Sequence, residues 1–225
     1  MKNRIPAVYV LVSVLASACS MDATTESPTQ RSAQAIGGHA NPSNADYVVS
    51  VNGSCSGTLV APTKVVTAQH CIHSGENRAG GVVATRATQI GARDVAVLTL
   101  SRALDLPTVR LAREIPGVGT KGTLIGFGRT EDSSAFDTRR EARLRVYKVG
   151  SNVADESDRI GPTGFFARNA DSRGCGADSG GAFMVGGMLA GVTVLGDPSC
   201  SHPDWDTGFA AVGSLYDQLS TAIED

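Results

Sequence analysis

The sequence predicts an all-β domain that ends in one amphipathic helix, and three observations carry that reading. Apolar residues come in short runs broken by Gly, Pro, Asn and Asp, the texture of strands and turns. Glycine is abundant, at 26 of 225 residues, which favours turns over long helices. Only at the end do apolar residues recur at helical spacing, at Val212, Leu215, Tyr216, Leu219 and Ile223.

Taken in order, residues 1–18 read as an export signal. Lys2 and Arg4 precede the short apolar run Ala7–Ala16, and Ala16-Ser17-Ala18 is a small-residue cleavage site. Cys19 follows directly. The stretch L-A-S-A-C resembles a bacterial lipoprotein signal, so Cys19 is a candidate for lipidation. Residues 19–34 are polar, lack apolar periodicity, and read as a tether or pro-segment.

The strand candidates follow: Tyr47–Val51, Gly57–Val60, Lys64–Ala68, Gly81–Ala84, Val95–Leu100, Gly122–Phe127, Leu144–Val149, Ala182–Val185 and Met188–Val194. Runs of this length, rich in Val, Leu, Ile and Ala, suit a sandwich or barrel. Ser214 is the expected N-cap of the terminal helix. The net charge of −2 leaves no nucleic-acid footprint.

An exported chain tends to pair its cysteines. With Cys19 set aside, Cys55, Cys71, Cys175 and Cys200 allow three pairings, of which the local one closes the shortest loops.

Candidate chemistry is spread along the chain. His70 lies in V-V-T-A-Q-H-C at 65–71, just after an apolar run. With Cys71, His73 and Cys55 it could also ligate a metal, but disulfide pairing is the stronger reading for exported cysteines. Asp94 opens D-V-A-V-L and by itself reads equally as a solvated strand end. Ser179 sits in G-C-G-A-D-S-G-G at 174–181. A nucleophilic serine needs a base, a group that fixes the base's tautomer, and donors for the oxyanion.

T-A-Q-H-C, D-V-A-V-L and C-G-A-D-S-G-G-A, in that order, resemble the histidine, aspartate and serine motifs of the chymotrypsin/trypsin family. Ala35-Ile36-Gly37-Gly38 resembles that family's mature N-terminus, and Gly126-Phe127-Gly128 its Gly-Trp-Gly. The resemblance covers residues 35–225. It implies two six-stranded antiparallel Greek-key barrels with a C-terminal helix, and disulfides Cys55–Cys71 and Cys175–Cys200. It makes Ser179 the nucleophile, His70 the general base and Asp94 its orienting acid. The amides of Ala177 and Ser179 become the oxyanion hole, and Asp178 the partner of a new α-amino group after pro-segment cleavage.

Departures from the family pattern are specific. Ala177 stands where glycine is usual. Asp94 follows His70 by only 24 residues, which implies a trimmed first barrel. Val194 replaces a serine that often bonds the triad aspartate. Arg173 takes the position of the specificity-pocket base, and Gly196 and Gly208 align with pocket walls that they would leave open.

The expectation is therefore an exported serine endopeptidase made as a zymogen, monomeric, acting on protein or peptide substrates. No cofactor, metal or nucleic acid is expected, and membrane contact only through a lipid on Cys19. It is secreted or periplasmic, or an outer-membrane lipoprotein if lipidated. A catalytically weak or inactive homologue acting as a binding protein is the alternative.

Overall fold

The computed structural model describes residues 39–40, 44–130, 138–150, 160–170, 172–202 and 204–225. The export signal, Cys19, the polar segment to residue 34 and Ala35–Gly38 lie outside these.

The first barrel is closed by strands β2 (Val48–Val51), β3 (Cys55–Ala61), β4 (Lys64–Thr67), β5 (Arg78–Ala79), β6 (Val82–Gln89) and β7 (Ala96–Leu100) in the order β2-β3-β4-β7-β6-β5. All of its pairings are antiparallel. Val51, Leu59, Val65 and Leu98 share the inner face and are fully buried. The short interval between His70 and Asp94 removes no strand. It is absorbed in the two-residue β5 and in the brief turn between β6 and β7.

The second barrel is built from β9 (Lys121–Gly126), β10 (Arg140–Val149), β11 (Phe165–Arg168), β12 (Ala182–Val185), β13 (Met188–Leu195) and β14 (Thr207–Ala211). Its order, β10-β11-β14-β13-β12-β9, closes through the β9–β10 pairing. The strand β1 (His39–Ala40) pairs with β10, and β8 (Arg110–Leu111) runs parallel to β13. Phe165, Phe183 and Phe209 pack together at the centre, with ring centroids 4.8–5.1 Å apart. The three rings fill one barrel where the other uses aliphatic residues.

The helix α1 (Tyr216–Glu224) follows a 3-10 turn over Val212–Leu215. Ser214 is not its cap: the hydroxyl donates backward to the Ala211 carbonyl at 2.7 Å, inside that turn. The helix instead starts from Leu215, which has no side-chain cap. Leu219 and Ala222 bury its inner face. Lys64, itself buried, donates from Nζ to the Ala222 carbonyl at 3.3 Å, placing a cation at the helix's negative end. Among the described residues no helix is long and apolar enough to cross a membrane.

Candidate active site

The end of β4 delivers His70. The chain leaves the strand at Ala68 and enters a short 3-10 turn, Gln69–Cys71. The Cys55–Cys71 disulfide ties that turn back to β3. His70 and both sulfurs lie within 4.8 Å of one another, but the sulfurs are bonded to each other and cannot serve a metal. His73 lies outside this group, and its backbone N–H is held by Asn77 Oδ1 at 2.8 Å.

Asp94 lies in the turn just before β7, 8% exposed. Its Oδ1 accepts the His70 backbone N–H at 2.8 Å, and its Oδ2 lies 2.6 Å from His70 Nδ1. A carboxylate only accepts, so the ring carries its proton on Nδ1 and keeps Nε2 as an acceptor. Among the described residues these are the carboxylate's hydrogen bonds. Val194, buried at 2%, offers none.

Ser179 comes from the second barrel, on two consecutive tight turns. Asp178 N–H donates to the Cys175 carbonyl at 3.0 Å, and Gly181 N–H to the Asp178 carbonyl at 2.8 Å. Gly180, at φ +79°, donates to the Thr193 carbonyl at 2.7 Å, anchoring the loop on β13. The loop is therefore a fixed turn. Ala177 sits at φ +74°, a left-handed conformation that costs an L residue about 1–2 kcal/mol. Among the described residues the N–H groups of Ala177 and Ser179 donate to nothing in the protein, so both remain available to an anionic oxygen.

Ser56, on β3, joins this loop to the first barrel and carried no signal in the sequence. Its N–H donates to the Ser179 carbonyl at 2.8 Å. Its hydroxyl, fully buried, donates to the Ala177 carbonyl at 2.9 Å and accepts the Phe127 N–H at 2.9 Å.

Asp178, the residue before Ser179, is fully buried. Its carboxyl accepts the N–H of Gly128 and of Cys175, each at 2.8 Å. The seat exists because residue 128 is glycine: a Cβ there would lie 2.1 Å from Oδ2. Burial pushes the carboxyl up to about 7, against the two amide bonds and the more distant Arg140, which pull it down. Among the described residues no cation pairs with it.

The segments expected to wall the specificity pocket are bonded to each other. Cys175 and Asp197 form a parallel bridge. Gly176 N–H donates to the Asp197 carbonyl and Asp197 N–H to the Gly174 carbonyl, both at 2.9 Å. Gly196 permits this close approach. A Cβ on it would lie 2.7 Å from the Gly174 oxygen. Gly208 likewise meets Ile160, whose Cδ1 is 2.8 Å from its ideal Cβ position.

Arg173 is buried and faces acceptors of its own protein. Its Nη2 donates to the Cys200 carbonyl at 2.6 Å, and its Nε lies 3.6 Å from Asp197 Oδ2. Burial alone would raise the Asp197 carboxyl. The amides of His202 and Ser199, with the Ser199 hydroxyl, outweigh it and hold it well below the usual carboxylate range. A charged Asp197 thus answers the Arg173 cation. The Cys175–Cys200 disulfide closes this region.

Comparison with known proteins agrees with this geometry. A profile of the Trypsin family matches residues 35–218. A trypsin of Saccharopolyspora erythraea is 29% identical over 198 residues, covering 75% of this chain and 86% of its own. Trypsin iota of Drosophila melanogaster is 25% identical over 205 residues, covering 76% and 81%. Among solved structures, neuropsin, a serine protease expressed in the limbic system of mouse brain, superposes with a TM-score of 0.66 at 21% identity. It covers 80% of this chain and 95% of its own, and supports the fold alone.

Proposed function

The chain belongs to the trypsin family, and from that premise we propose that it is an exported serine endopeptidase, synthesised in a latent form. The observation that carries the reading is the two-point grip of Asp94 on His70, through the backbone N–H and through Nδ1.

In the proposed reaction His70 Nε2 takes the Ser179 proton as Oγ attacks the carbonyl carbon of a peptide bond. The resulting oxyanion is received by the N–H groups of Ala177 and Ser179. Collapse of the tetrahedral species breaks the C–N bond, and the amine leaves with the proton held on His70. Water then attacks the acyl-enzyme with His70 again as base, releasing the acid and restoring Ser179. Asp94 keeps the imidazole in the working tautomer and stabilises its charged form.

Latency rests on Asp178 and on the paired pocket walls. A cleaved N-terminus at Ala35 or Ile36 supplies an α-amino group, the one partner that would match a fully buried carboxyl. Two disulfides fit an exported protein.

The test is a fluorophosphonate probe on protein cleaved before Ala35 or Ile36, with Ser179→Ala beside it. Labelling of the parent alone, with peptide turnover matching ester turnover, is expected. A folded, cleaved protein that takes no label at Ser179 would instead be a binding homologue.

A further inference from the structure

The second barrel carries a charge arrangement that the cleft does not use. Arg145 on β10 pairs directly with Lys121 on β9 and with Arg168 on β11. Directly opposed residues share a face of the sheet, so three cations stand side by side across three neighbouring strands. Arg143, two residues along β10, faces the same way. Like charges placed opposite one another oppose folding.

Nothing in the described protein neutralises this row. Arg145 Nη1 donates to the Gly119 carbonyl at 3.3 Å, and Arg168 lies over the Tyr147 ring at 4.3 Å. Among the described residues none of the four cations has a carboxylate partner. All four line one cavity of about 1000 Å³, and a concave site lined mainly by one sign of charge concentrates the opposite sign.

The remaining lining narrows the ligand. Asp204 and Asp206 border the same cavity, and Asp206 accepts a hydrogen bond from the Tyr147 hydroxyl. Trp205, the chain's single tryptophan, lies between them and is 43% exposed. A phosphodiester backbone would meet those carboxylates as like charges. A polyglutamate segment would bring no hydroxyl donors to them. A sugar chain with acidic substituents satisfies each surface at once.

We propose that this cavity binds an acidic oligosaccharide. Its sulfate, phosphate or carboxylate groups sit on the Lys121–Arg145–Arg168 row, where guanidinium groups bond oxyanions through paired donors. Its hydroxyls donate to Asp204 and Asp206, and a ring face covers Trp205. The row spans two strand spacings, roughly 10 Å, room for more than one acidic group. The site uses none of His70, Asp94 and Ser179.

The single tryptophan makes the site its own reporter. The full chain carrying Ser179→Ala is titrated with a heparin-derived hexasaccharide in near-physiological salt while Trp205 fluorescence is followed. A saturable change is expected, weakened at least tenfold by Lys121→Gln, Arg145→Gln and Arg168→Gln together. Arg86→Gln with Arg102→Gln, exposed cations elsewhere, leaves it unchanged.

Absence of a saturable signal, or an equal loss in the control pair, overturns the proposal. So does equally tight binding of single-stranded DNA or polyglutamate of the same charge. Removing mutually repelling cations should leave melting unaltered or raised. Should the triple variant melt early, Arg145→Lys with Arg168→Lys keeps the charge and loses the paired donors. Several-fold weaker binding is then expected, and unchanged affinity there defeats the assignment as well.

Discussion

In the first barrel, Asp94 holds His70 through the backbone at 2.8 Å and through the ring at 2.6 Å. In the second, Asp178 is buried more deeply, yet it is held by two amides alone and its carboxyl is pushed up to about 7. The pocket walls beside it are bonded to each other instead of facing a substrate side chain. The first barrel thus holds a histidine by an acid at two points, whereas among the described residues the buried acid of the second has no cation partner. Under the proposed function, that difference puts control of the reaction in the second barrel. Activation would then reshape Gly174–Asp178 and Gly196–Asp197 and leave the histidine and its aspartate where they are.

The largest effect is expected from breaking the finished half. Asp94→Asn presents a donor to Nδ1, so the ring adopts the wrong tautomer. Turnover of a peptide substrate by the cleaved enzyme should fall about 10⁴-fold with melting little altered. A loss below tenfold would remove Asp94 from its orienting role.

The unfinished half is probed at Asp178, where the two forms should respond in opposite senses. In the cleaved enzyme Asp178→Asn breaks a buried ion pair, a loss of about 3–5 kcal/mol, and peptide turnover falls at least a hundredfold. In the uncleaved chain burial pushes the native carboxyl up to about 7, against about 3.9 when unfolded. Between those values the native state binds more protons than the unfolded state, so the stability this carboxyl contributes declines as pH rises. Asp178→Asn removes that slope. The variant should match its parent below pH about 4 and exceed it above pH about 7, by up to about 4 kcal/mol. Denaturant unfolding at several pH values reads this directly, and parallel curves would refute it.

The smallest effect is expected at Ala177. Ala177→Gly relieves the left-handed strain of about 1–2 kcal/mol, offset in part by the added freedom of the unfolded chain. Stability should change by about 1 kcal/mol or less and turnover should rise several-fold. A slower variant would mean that the alanine methyl helps to hold the turn.

Most strands with an apolar run of their own were legible in the sequence, though β11, with its short F-F-A run, was missed; the disulfide pairs that the family resemblance implied were legible too. The strand β14 was not, because T-G-F-A-A is buried at every position and has no alternation to read. Nor were β5 and β8, two residues each, whose pairing depends wholly on neighbours. At the site, residue types and order pointed to His70, Asp94 and Ser179 as a group. Contacts between distant segments could not be read. The expectation of Arg173 at a pocket base said nothing of its partners, Asp197 and the Cys200 carbonyl. The cation row was hidden for the same reason, since Lys121, Arg145 and Arg168 become neighbours only through strand register.

Ser56 gives the cleft a mechanical property. One residue of the first barrel holds the Ala177 carbonyl, the Ser179 carbonyl and the Phe127 amide of the second. Separating the barrels pulls on the peptides of Ala177 and Ser179. With those peptides in the proposed oxyanion role, the site works as a strain gauge: a ligand or partner that wedges the barrels, even far from Ser179, is expected to register as lost turnover.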